Sequence, residues 1–340
     1  MSNNIALDLG TSNTRIFTSA KGKVLDEPSV VSYDADTRDI IAVGTEAYNM
    51  IGRTPGRICA EYPLTSGVIS DFGLVEDLVS ALLHKLNTSK LLMPKVVACV
   101  PGEITDVEKR AVVNAISSIG VRKVYLIEAA KAAAIGAGLT ITDSHGVMIA
   151  DIGGGTADIA VISLGGIASS CSVKRAGNYM DEEIVKYIRK KYFLYIGTRT
   201  AELAKMTIGC VCPPEEEKTF VMKGRDAVSG LPRSIEVTSS EIMEAIFETA
   251  LNIVKSISKV MEETPPELVG DIHTDGITIS GGLSKLTGFP ELIERVMKIK
   301  VNIPENPSDC VINGCGKSIP YINAADDINS TIINPLVEAY

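Results

Sequence analysis

The chain has 340 residues, 45% of them hydrophobic and 22% charged, with a net charge of -9. Such a length divides into two lobes more readily than it fills one simple core, and the composition excludes the disordered and low-complexity classes. The acid excess argues against a nucleic-acid partner, whose binding surfaces are normally basic, and no apolar run approaches the roughly 18 residues of a membrane span. Met1 to Asn4 leaves no room for a signal peptide, so a cytoplasmic protein is expected.

Taken in chain order, Ile5 to Leu9, Arg15 to Ser19 and Val24 to Ser32 predict an antiparallel meander. Its turns fall at Gly10-Thr11-Ser12-Asn13 and Lys21-Gly22-Lys23. Tyr33 to Ser66 is polar and punctuated by glycine and proline, which reads as a small excursion. Asp71 is placed to N-cap a helix reaching about Leu86, with Leu74, Val75, Leu78, Val79, Leu82 and Leu83 on one face. Val96 to Val100 is a buried strand closed by Pro101-Gly102, and a helix from Val107 to Ile119 is stopped by Gly120. After a short strand at Val124 to Ile127, Glu128 to Gly138 forms a helix of small residues suited to close packing between lobes. Asp181 is expected to start an amphipathic helix, Thr200 to Ile208 a shorter one, and the capping box Thr238-Ser239-Ser240-Glu241 the longest. Ile277 to Ser280 is a strand breaking into Gly281-Gly282, with a helix following from Leu283. The alternation predicts an α/β protein with mixed sheets.

One stretch carries chemistry. Asp151-Ile152-Gly153-Gly154-Gly155-Thr156 lies between two apolar runs, so it reads as strand, glycine turn, strand, with the glycines free to adopt φ > 0. Such a turn can aim successive backbone N–H groups at phosphate oxygens, and Asp151 is placed to hold Mg2+ through water. Alone, it reads equally as a tight hairpin with no ligand. The N-terminal stretch Ala6-Leu7-Asp8-Leu9-Gly10-Thr11-Ser12-Asn13-Thr14-Arg15-Ile16 repeats the pattern. Overlaying Asp8 on Asp151 sets Gly10 on Gly153 and Ile16 on Ile159. Two copies of one unit predict two similar half-molecules, with Asp8 and Asp151 converging on one polyphosphate–Mg2+ group. Other chemistries lack support. The seven cysteines are irregularly spaced, as befits free thiols, and the three histidines are isolated, so neither a zinc site nor a Ser-His-Asp hydrolase is indicated.

Three glycine turns in this order, at Asp8-Leu9-Gly10, Asp151-Ile152-Gly153 and Ser280-Gly281-Gly282, resemble those of the sugar kinase, chaperone ATPase and actin superfamily. Finer matches resemble the bacterial actin MreB. These are Asp8 to Thr14, Met50-Ile51-Gly52-Arg53-Thr54-Pro55-Gly56, Gly67-Val68-Ile69-Ser70-Asp71-Phe72, Ala132 to Gly138 and Asp151 to Leu164. The likeness extends over nearly the whole chain and points to the divergent paralogues of wall-less, helical, swimming bacteria. It implies an actin-like two-lobed fold, duplicated ribonuclease H-like domains with four subdomains around a cleft for ATP or ADP and Mg2+. The implied divisions are 1–32, 68–138 and 311–340 for IA, 33–67 for IB, 139–180 and 253–310 for IIA, and 181–252 for IIB. Carried over position by position, Thr11, Ser12 and Asn13 contact the phosphates from one side, and Gly153, Gly154 and Gly155 from the other, with Thr156 near the γ-phosphate. Glu202 and Lys205 match the ribose- and base-facing helix. Their i, i+3 spacing equally suits a solvated charge pair. Gly281, Gly282, Leu283 and Ser284 match the adenine-side turn, although Leu283 stands where the family has a third glycine.

The most informative departure is Glu128-Ala129-Ala130-Lys131, where MreB proteins usually carry two glutamates, a proline and a hydrophobic residue. The glutamate assigned by resemblance to polarising the attacking water falls on Ala129, which can neither accept a proton nor orient water. Glu128 is rotated by about 100° along the helix. Asp158 is expected to lie too far along its strand to substitute. The resemblance therefore implies a nucleotide-binding protein that polymerises with itself, or with paralogous MreB proteins, and hydrolyses ATP weakly. Leu91-Leu92-Met93, between Lys90 and Pro94-Lys95, stands where other MreB proteins carry an apolar loop. It suits peripheral contact with the inner face of the cell membrane, or merely the start of the next strand's packing. A small-molecule kinase or a chaperone-type ATPase module of the same superfamily are the competing readings; neither an acceptor site nor a client-binding domain is marked.

Overall fold

The computed structural model describes residues 4–86 and 94–322. Two five-stranded mixed sheets dominate it. In the first, Ile5–Leu9 is central, antiparallel to Asn13–Thr18 and parallel to Lys95–Val100; Gly22–Pro28 and Lys123–Glu128 form the edges. In the second, Val147–Ile152 is central, antiparallel to Ala157–Ser163 and parallel to Ile277–Ser280; Gly166–Val173 and Val301–Asn302 form the edges. The order and direction of the strands are the same in both. Asp8 and Asp151 therefore occupy equivalent places near the ends of the two central strands.

The central strands are apolar on both faces because helices cover them. Phe72–Lys85 and Asp106–Ser117 pack on one face of the first sheet, capped by Asp71 and by a complete capping box at Thr105 and Glu108. Between the two sheets lie Ala129–Ala137 and Cys310–Lys317, embedded in a core drawn from Ala6, Val97 and Tyr125 on one side and Ile149, Ala160 and Ile162 on the other. These helices touch almost backbone to backbone. A Cβ on Gly136 would stand 1.8 Å from the Cys310 carbonyl oxygen, and one on Gly314 1.7 Å from that of Ala132.

Two smaller sheets sit beyond the main pair. Val31–Asp34 does not continue the N-terminal meander. Pro28 ends the Gly22–Pro28 strand, and the chain then pairs with Ile40–Val43 and Ile58–Glu61, so the expected excursion is an ordered sheet carrying the helix Thr45–Met50. On the other lobe, Leu194–Tyr195, Thr219–Asp226 and Pro232–Thr238 form a sheet beside Gly177–Tyr192, Thr198–Ile208 and the long Ser239–Glu262 helix. Asp181 does not start its helix, which begins at Gly177; it lies in the second turn, where it is buried. No described helix is long and apolar enough to cross a membrane. Leu91, Leu92 and Met93 lie outside the described residues.

Candidate nucleotide site

The two aspartate turns meet across a cleft with a volume of about 470 Å3. From the first lobe it is lined by Asp8, Gly10, Thr11, Ser12, Asn13 and Ala129; from the second by Asp151, Gly153, Gly154, Gly155, Thr156, Glu202 and Lys205; and Gly281, Gly282 and Leu283 close one end. Of the residues matched to the nucleotide site in the sequence, Ser284 is the exception. It is buried under the turn, its hydroxyl donating to the Gly281 carbonyl, and does not line the cleft.

The glycines serve a different purpose from the expected one. None of Gly153, Gly154 and Gly155 takes a positive φ. Gly154 and Gly155 are required because the turns pack against each other. A Cβ on Gly154 would fall 2.0 Å from Ser12 Oγ, and one on Gly155 2.1 Å from Thr11 Oγ1. Gly281 needs both properties: its φ is +82°, and a Cβ there would stand only 2.3 Å from the Ile152 carbonyl oxygen. A further bond ties the lobes together, Ser12 Oγ donating to Asn178 Oδ1 at 3.0 Å, while within the first lobe Thr11 Oγ1 accepts from Gly67 N at 2.9 Å.

Glu202 and Lys205 both line the cleft but do not pair with each other. Lys205 is buried, held by Asp181 at 2.7 Å and by the Gly177 carbonyl at 2.7 Å. Glu202 accepts from the Tyr48 hydroxyl at 2.6 Å. Arg199 stacks 4.7 Å over the Tyr48 ring and donates to Asn49 at 3.0 Å, so these contacts bridge the Thr45–Met50 and Thr198–Ile208 helices beside the two small sheets. Nothing in the sequence pattern marks Tyr48 for this position.

Ala129 is on the cleft wall, as the first residue of its helix. Glu128 is not on that wall; it pairs with Lys131 at 2.9 Å, which also accounts for the lysine. Asp158 lines the cleft, contrary to expectation, because antiparallel register sets it directly opposite Asp151. There it accepts from the Thr156 hydroxyl at 2.8 Å and the Ser172 hydroxyl at 2.7 Å.

Carboxylates crowd the floor. Burial pushes Asp8 and Asp158 above the usual range, with Arg15 opposing the shift at Asp8. Asp151 keeps some surface open to the cleft, but the protein packed around it desolvates the carboxyl and drives it up to about 7, with Asp158 and Asp8 adding repulsion. Its Oδ1 accepts from Ser280 at 2.7 Å, while Oδ2 takes no hydrogen bond among the described residues. No group of three acids among the described residues could cage a metal ion, but Mg2+ keeps most of its water and needs only one or two carboxylates, and the free oxygen of Asp151 fits that mode.

A group whose folded pKa lies above its unfolded value stabilises the fold at low pH, and that contribution is lost as pH rises through the folded value. For Asp151 the window runs from about 4 to about 7. Between pH 5.5 and 8, ligand-free protein should therefore lose about 2 kcal/mol through this residue. Asp151→Asn should remove that slope in denaturant titrations. An unchanged slope would show that the carboxyl is not desolvated.

Twin sheets of identical strand order, with paired aspartate turns facing one cleft between them, define an actin-like protein. The family model for MreB/Mbl protein matches residues 2–327, and the chain belongs to that family of bacterial actins. It is 46% identical over 313 residues to the cell shape-determining protein Mbl of Bacillus subtilis (strain 168), covering 92% of this chain and 94% of that one. It is 40% identical over 328 residues to the cell shape-determining protein MreB of Escherichia coli (strain K12), covering 95% and 94%. The crystal structure of MreB5 of Spiroplasma citri bound to ADP superposes with a TM-score of 0.91 at 36% identity, covering 97% of this chain and 99% of the other. The MamK double helical filament shares the fold, with a TM-score of 0.79 at 22% identity over 93% of this chain and 98% of its own.

Proposed function

We propose that the cleft binds ATP or ADP with Mg2+ and that the chain polymerises into filaments with little nucleotide turnover, acting in cell shape or helical swimming. One observation carries the reading: two equivalent aspartate turns converge on a single cleft whose wall, at the position of the water-activating residue, is Ala129. Thr11, Ser12 and Asn13 contact the phosphates from one side and Gly153 to Thr156 from the other. Glu202 faces the ribose, oriented by Tyr48, and Gly281 to Leu283 face the base. Asp8 and Asp151 would hold Mg2+ through water, and the ion when bound supplies positive charge to the phosphates. The MreB5 crystal structures, bound to ADP and to AMPPNP, support the choice of ligand.

We also assign subdomains IA (1–32, 68–138 and 311–340), IB (33–67), IIA (139–180 and 253–310) and IIB (181–252), a division supported by the membership of the four larger sheets except at 31–32, where the strand Val31–Asp34 pairs wholly within the IB sheet. The filaments are placed in the cytoplasm, at the inner face of the membrane. Titration with a fluorescent ATP analogue in Mg2+ tests the site. One saturable site per chain is expected. Gly155→Ala, whose Cβ would meet Thr11 Oγ1 at 2.1 Å, should weaken it at least roughly tenfold, or about 1.4 kcal/mol. Absence of saturable binding would sink the reading.

A further inference from the structure

The two half-molecules differ at one position that the twin architecture makes easy to locate. In each, the residue paired across the hairpin from the cleft aspartate projects from the same face of the sheet. Opposite Asp151 that residue is Asp158; opposite Asp8 it is Arg15. One half thus presents two acids to the cleft, and the other an acid beside a guanidinium. Register fixes this neighbourhood whatever rotamer the side chains take.

The contacts are direct. Arg15 Nη1 lies 3.3 Å from Asp8 Oδ2, with both side chains largely shielded from water at 18% and 10% exposure. The other oxygen of Asp8 accepts from Cys99 Sγ at 3.1 Å. Both oxygens of Asp8 are therefore engaged, whereas Asp151 keeps one free. Arg15 is braced from outside by Asp26 at 3.1 Å and Asp309 at 3.8 Å. Those two acids are more exposed, and Lys23 shares them, at 2.6 Å from Asp309 and 3.7 Å from Asp26. Arg15 Nη2 makes no hydrogen bond among the described residues, and the side chain lines the cleft.

We propose that Arg15 is a built-in cation of the nucleotide site, taking over part of the charge neutralisation that paired aspartates would otherwise leave to a divalent metal. The proposal rests on the nucleotide reading above. A guanidinium with spare donors is suited to phosphate oxygens, and being permanently charged it needs no recruitment from solution. It also repels a second cation held nearby. Both effects work in the same direction: nucleotide binds better without Mg2+, and added Mg2+ improves binding less.

The test is the ratio of dissociation constants for a fluorescent ATP analogue in EDTA and in Mg2+. Wild type and Arg15→Lys should show a small ratio. Arg15→Leu should raise it roughly tenfold or more, the size expected for one charge acting over several ångström at an effective dielectric near 20. Arg15→Leu leaves Asp8 buried beside no hydrogen-bond donor but Cys99, so Arg15→Gln, which removes the charge and keeps an amide donor beside Asp8, serves as the variant that keeps the fold balanced; its ratio should rise as well. Ratios equal to wild type in both uncharged variants would overturn the proposal. Failure of wild type to bind in Mg2+ would instead refute the nucleotide reading, so the two outcomes are separable.

Discussion

Ala129→Glu should raise phosphate release by about 10²- to 10⁴-fold, the range typical of a positioned acid–base group. Phosphoryl transfer draws nearly all its acceleration from positioning and electrostatics, so a missing water-orienting carboxylate is felt directly. Ala129 is on the cleft wall, and the cleft has room for the longer side chain. Glu128 cannot supply the function from where it stands, since it is tied to Lys131 at 2.9 Å and is not part of the wall. Glu128→Ala should accordingly leave the wild-type rate unchanged. Asp158 is nearer, but its oxygens are taken by the hydroxyls of Thr156 and Ser172. Phosphate release measured on the three proteins checks the assignment. No gain in Ala129→Glu would show that other parts of the site have diverged too.

The second large effect concerns stability. Gly314→Ala should destabilise the chain by more than about 3 kcal/mol, and Gly136→Ala comparably, a large fraction of the usual margin of a folded protein. In an ordinary exposed helix this substitution is favourable by roughly 0.5–1 kcal/mol, because glycine loses more freedom on folding. Here the new methyl carbon would stand 1.7 Å or 1.8 Å from a carbonyl oxygen of the facing helix. Backbone cannot swing aside as a side chain can, so the two helices must separate and strip packing from the core between the sheets. Gly270→Ala, in the Pro266–Asp275 helix with nothing within 4 Å of its Cβ position, is the control and should be neutral or stabilising. Equal stability of Gly314→Ala and Gly270→Ala in denaturant melts would contradict this packing.

The architecture was legible because the chain writes its central unit twice. An aspartate in register, flanked by apolar strands, survives in both copies, and the strand order bears out the inferred duplication. Caps and periodicity likewise located the Phe72–Lys85 and Ser239–Glu262 helices, since both signals are local. What could not be read depended on contacts distant in sequence. The glycine turn gave no hint that its neighbour across the cleft, rather than its own φ, excludes a side chain. Val31–Asp34 followed the meander by pattern but leaves it for another sheet after Pro28. Tyr48 reaches Glu202 over 154 positions, and no spacing rule connects them. Arg15 and Asp158 were within reach: the overlay of Asp8 on Asp151 pairs them, and strand alternation turns both toward the cleft.

The central claim is that a Mg2+-nucleotide held between the twin turns drives assembly more than turnover. Sedimentation of the full chain after adding ATP and Mg2+, with electron microscopy of the pellet, tests it most directly. The account predicts that protein pellets as filaments. A chain that stays soluble and monomeric at all concentrations with nucleotide bound, as a kinase or a lone ATPase module would, contradicts it.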